Sequence, residues 1–106
     1  MAVDINLNLY KGNRSLGCIH LYFGKALLSQ WDGWDWAEKN GMKVDGPWVL
    51  DDKNAEHGTI VSREQLIQWI EDGYLSKSPI GDDRLADFVK AYPKSTVFKL
   101  WLLDWS

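Results

Sequence analysis

The chain is poor in the residues that would narrow its class quickly: one cysteine, three prolines and two histidines in 106 residues. A lone Cys18 excludes an intrachain disulfide and so a disulfide-stapled fold, which points to a reducing compartment, the cytoplasm by expectation. No apolar run approaches the roughly 18 residues that a membrane helix requires. The opening residues, MAVDINLNLY, have neither a basic start nor a continuous apolar stretch, so no signal peptide is expected. Lys and Arg total 12 and are scattered, whereas a phosphate backbone demands clustered positive charge; direct contact with nucleic acid is not expected.

The same scarcity limits the chemistry. Zinc takes three or four Cys, His or carboxylate ligands, and Cys18, His20 and His57 are the only soft donors. Asp51, Asp52, Asn54, Glu56 and Gly58 have the outline of a calcium loop. Counted from Asp52, however, the glycine comes one place late and the twelfth position is Arg63 instead of a bidentate glutamate. Cys18 and His20 stand two apart on a predicted strand, about 6 to 7 Å from each other, with nothing electropositive to lower the thiol pKa. Gly12 and Gly17 fit no phosphate-binding loop. Asp51-Asp52 and Asp82-Asp83 are adjacent acids, but spacing alone builds no cleft around them, and the second pair suits helix capping. No catalytic residue, metal or cofactor is therefore expected.

What the chain does have is a 45% apolar content, enough for a core, and seven tryptophans. Its length suits one domain. Residues 2 to 10 alternate strictly, with Val3, Ile5, Leu7 and Leu9 on one side, as a strand with one wet face does. Lys11-Gly12-Asn13-Arg14 is a turn. Leu16 to Phe23 is the return strand, with Ile19, Leu21 and Phe23 inward. The spacing then predicts a helix over Lys25–Asn40, with Leu27, Leu28, Trp31 and Trp34 on its buried face and Trp36 turned away. Met42 to Leu50 and Thr59 to Val61 read as short extended pieces. Ser62-Arg63-Glu64-Gln65 forms a capping box that opens a second helix. Tyr74 to Gly81 reads as a linker, and Asp82 as the cap of a third helix ended by Pro93. Finally, Val97 to Trp105 is apolar on nearly both faces, which places it inside a sheet. The expected fold is α+β: a mostly antiparallel sheet of four to five strands, about three helices mainly on one face, and the C-terminal strand interior.

Charge is uneven. Seven acids and three lysines lie between Asp32 and Glu56, a local excess of four against three for the whole chain. Within that stretch Trp31-Asp32-Gly33-Trp34-Asp35-Trp36 alternates indoles with acids. An exposed indole rimmed by carboxylates suits a contact with a basic surface. The expected partner-binding residues are Trp36, Asp32, Asp35, Glu38, Trp48, Asp51 and Asp52. The expected function is a small acidic binding or inhibitory module that occludes a basic protein, such as a nuclease or another nucleic-acid-binding complex. Toxin-immunity and phage anti-defence proteins share that size and charge. The alternative is a domain or small enzyme that holds a nucleotide or sugar in a tryptophan-lined pocket. Tyr10, His20, Tyr22, Trp101 and Trp105 mark a candidate self-association face opposite the helices, and so a homodimer.

Overall fold

The C-terminal apolar run forms a strand with partners on both edges, as its two apolar faces predict. The computed structural model describes residues 3–46, 58–79 and 84–104. In chain order these residues form β1 (Val3–Lys11), β2 (Arg14–Phe23), α1 (Gln30–Lys39), β3 (Val44–Asp45), β4 (Thr59–Val61), α2 (Arg63–Glu71), β5 (Leu75–Ser76), α3 (Leu85–Lys90) and β6 (Val97–Asp104). The six strands make one mixed sheet in the order β3-β6-β1-β2-β5, with β4 also on β6 beside β3. Only β3 runs parallel to its neighbour. The class is α+β, with three helices among the described residues.

Alternation in β1 becomes a division between two faces. Val3, Ile5, Leu7 and Leu9 are all buried. On β6, Leu102, Leu100 and Phe98 stand opposite Ile5, Leu7 and Leu9, and on β2 Leu21 stands opposite Ile5. Directly opposed residues point to the same face, so these side chains form one apolar layer. Leu66 and Trp69 of α2, Leu85 and Val89 of α3, and Trp36 and Ala37 of α1 join it in one buried cluster. The helices therefore cover this face. The opposite face carries Asp4, Asn6, Asn8 and Tyr10 of β1, with Leu103, Trp101, Lys99 and Val97 of β6 opposite them.

Local signals set most boundaries. Lys11 pairs Arg14 across the two-residue loop Gly12-Asn13, and Gly12 takes φ +61, which a glycine adopts without strain. Leu9 pairs Gly17 but Tyr10 pairs Ser15, so Leu16 is an extra residue and bulges β2. Ser62 Oγ accepts the Gln65 N–H, as the capping box predicts. The predicted Asp82 cap lies outside the described residues.

Two boundaries differ from the sequence expectation. α1 starts at Gln30, capped by Ser29, instead of at Lys25. The preceding backbone is committed elsewhere: the Gly24 N–H donates to Tyr74 O at 2.8 Å, and the Ala26 N–H to Gly73 O at 2.9 Å. Those bonds continue the β2–β5 ladder, so part of the expected linker, Leu75–Ser76, is a strand. Gly73, at φ +88, turns the chain back from α2 to make it.

Arg63 ties three elements together. Its guanidinium donates to Tyr92 O at 2.7 Å and to Pro93 O, with longer bonds to Val89 O and Lys90 O. It also lies over the Phe98 ring, 5.3 Å from the centroid. The first residue of α2 thus donates to carbonyls in and just after the last turn of α3, where a cation is favoured. Arg63→Met is expected to cost about 2 kcal/mol in urea unfolding, since the bonds are charge-assisted. Arg63→Lys is expected to recover less than half of that loss, because an ammonium lacks the planar fork.

Candidate functional site

α1 carries the acidic and aromatic residues that the sequence singles out, but it presents different indoles from those expected. Trp36 is only 9% exposed, whereas Trp31 is 65% exposed and Leu28 is 91% exposed. Trp34 is half-buried and donates its Nε1–H to Glu38 Oε1 at 2.6 Å. Trp36 meets Trp69 edge-on at 5.2 Å and stacks on Tyr74 at 5.2 Å. The expectation of an outward Trp36 is therefore corrected: it belongs to the core, and Trp31 takes the outward place.

The reason is the small residues of α1. Gly33 and Ala37 are one helical turn apart and both buried, with Trp36 on the same side. A Cβ built on Gly33 would lie 2.6 Å from the Phe23 ring of β2. Absence of a side chain at Gly33 lets the helix settle on Phe23, and that contact sets the rotation of every indole on α1. A pattern built on large apolar residues ignores Gly33 and Ala37 and so finds the wrong stripe. The same glycine leaves Leu28 uncovered. Leu28 precedes the Ser29 cap, the position from which a residue packs on the fourth helical residue. That fourth residue is Gly33, which offers nothing to pack against.

The product is an apolar knob beside carboxylates. Asp32 and Asp35 are exposed and, among the described residues, neither forms an ion pair. They border an open groove of about 400 Å³ together with Ala26, Leu27, Leu28, Trp36 and Lys39. Asp32 also sits in the first turn, where the helix dipole favours its charge. Glu38 is exposed and holds Trp34. The remaining expected partner-binding residues, Trp48, Asp51 and Asp52, lie outside the described residues.

On the sheet face away from the helices, Tyr10 is half-buried under the Lys99 ammonium, 5.9 Å from its centroid. His20 and Tyr22 are exposed and meet edge-on at 4.7 Å. Trp101 is half-buried on this face, opposite Asn6. Trp105 lies outside the described residues. Asn8 is buried here, and among the described residues its Nδ2 has no hydrogen-bond partner. Partial burial pushes the Cys18 thiol above its ordinary pKa, which keeps it protonated at neutral pH and a poor nucleophile. Among the described residues no group of three or more His, Cys, Asp or Glu is placed to hold a metal ion, and no helix is long and apolar enough to cross a membrane.

Comparison with protein-family models, with curated protein sequences and with solved structures returns no match. The functional reading accordingly rests on the geometry of α1 and the sheet.

Two substitutions test the assignment of the indoles. Trp36→Ala is expected to cost about 3 to 5 kcal/mol of stability, and Trp31→Ala less than about 0.5 kcal/mol, both read by urea unfolding. Trp31→Phe should also reduce the acrylamide-quenchable part of the fluorescence, whereas Trp36→Phe should leave it nearly unchanged. Gly33→Ala reverses an ordinary rule. In a free helix the change stabilises by about 1 kcal/mol, but here the Phe23 clash is expected to make it destabilising by about 1 to 3 kcal/mol. Pairing it with Phe23→Leu should recover part of the loss.

Proposed function

We propose that the chain is a protein-binding module that occludes a basic partner protein through α1, with Leu28 and Trp31 as anchors and Asp32 and Asp35 as the charged rim. The observation that carries this reading is the 65% exposure of Trp31 and the 91% exposure of Leu28 at the start of α1, close in sequence to Asp32 and Asp35, which form no ion pair among the described residues. Two large apolar side chains left in water within three residues of each other, beside acids, are the kind of surface a partner covers. Burying each against a partner contributes about 1.5 to 3 kcal/mol. The two aspartates steer a positively charged surface into register and disfavour acidic competitors.

Surfaces that bind nucleic acid are basic, so a nuclease or another nucleic-acid-binding protein is the fitting class of partner. Inhibition then follows by obstruction of that surface. Mimicry of a nucleic acid would need denser charge than a net −3 supplies. By size and charge the chain is comparable to toxin-immunity and phage anti-defence proteins, and action in the reducing cytoplasm suits its single cysteine.

The experiment is affinity capture from the native host with wild type, a Trp31→Ala/Asp35→Lys variant and a Trp34→Phe control. Capture of a basic protein that weakens as salt rises, and that drops at least tenfold in the double variant alone, is the expected result. Equal recovery by the double variant and wild type, at unchanged melting temperature, removes the reading.

A further inference from the structure

Among the described residues the outer edge of β2 is paired over two residues. β5 pairs Tyr22 and Phe23, and the hairpin loop closes at Arg14. Between them the stretch 15–21 has no strand on its outer side among the described residues. Positions 15–18 and 20 are exposed. The direction of the backbone groups follows from one bond. The Gly24 N–H donates outward to Tyr74 O, and strand groups alternate sides every residue, so the N–H and C=O of His20 and Cys18 also point outward. Such a row of backbone donors and acceptors is a template for another strand.

We infer that this edge accepts β2 of a second copy, in antiparallel register about Cys18, to join two sheets into one. Three features favour a second copy over a foreign strand. The open stretch 15–21 is centred on Cys18, so a two-fold axis there fills it completely and stops at β5 on either side. Between Arg14 and Lys25 the strand carries no Asp, Glu, Lys, Arg or Pro, the residues that natural edges use to repel their own kind. Arg14 of each copy falls beyond the paired stretch, at opposite ends, so no like charges meet. The register also sets the exposed Leu16 against His20 of the second copy, continuing the sheet face that holds Tyr22. A ladder this short, interrupted by the Leu16 bulge, is expected to bury less than the roughly 1,200 Å² of a stable complex, so the dimer is weak.

The surface is separate from the knob on α1, and its test is independent. Sedimentation is measured up to about 0.5 mM, where even a Kd of about 0.1 mM leaves much of the chain dimeric, for wild type and for Cys18→Ser, Cys18→Lys and Cys18→Glu. Wild type and Cys18→Ser should dimerise equally, because no disulfide is required. Cys18→Lys and Cys18→Glu should each be monomeric through opposed like charges, and an equimolar mixture of the two should dimerise again. The mixing arm also separates loss of the interface from loss of the fold. Monomeric wild type at the highest concentration overturns the inference, and so does a dimer that persists in both charged variants.

Discussion

The ladder between β1 and β6 is the interaction on which the rest of the fold depends. It runs from Val3 opposite Asp104 to Tyr10 opposite Val97, and every other pair from Ile5 to Leu9 places two large apolar side chains on the covered face. Among the described strands β6 carries apolar residues along most of both faces, and it has neighbours on both edges. It finds β1 on one edge and shares the other between β3 and β4. Burial of leucine, isoleucine or phenylalanine contributes about 1.5 to 3 kcal/mol per side chain, and the densest such set is here. The three helices then cover one side of a platform already built by the strands.

A second constraint acts on α1. Two opposed local preferences meet there: glycine is a poor helix residue, and tryptophan is costly to leave in water. The close approach of Gly33 to Phe23 outweighs both. It draws Trp36 into contact with Trp69 and Tyr74 and turns Trp31 outward. The acid-rimmed knob is thus a geometric consequence of core packing. Its anchors are fixed by the side of the helix that faces the sheet, so the outward face is held in position without contacts of its own.

Most of the scaffold was legible from periodicity. Strict alternation located β1, a two-faced apolar run located β6 as an interior strand, and Ser62 with Gln65 located the start of α2. Each signal is carried by large side chains or by a cap, which local chemistry specifies. The features that were not legible depend on small residues and on backbone bonds between distant segments. Gly33 and Ala37 carry no hydrophobic weight in a periodic reading, yet they fix the rotation of α1. The late start of α1 and the existence of β5 both follow from Gly24 and Ala26 bonding to residues at the end of α2. The clamp formed by Arg63 was equally hidden, because nothing near it in sequence shows that α3 ends within its reach. The candidate site was half legible: the carboxylates Asp32 and Asp35 are exposed as composition suggests, while the exposed indole of α1 is Trp31 and not Trp36.

That clamp has a consequence for how the molecule breathes. Arg63 opens α2, while its acceptors close α3 and its ring partner Phe98 lies at the start of β6. Neither helix can fray at this end without releasing a charged fork from several carbonyls at once. Local unfolding here therefore proceeds as one cooperative unit, with the slow amide exchange that such a unit gives, instead of as two independently melting helices.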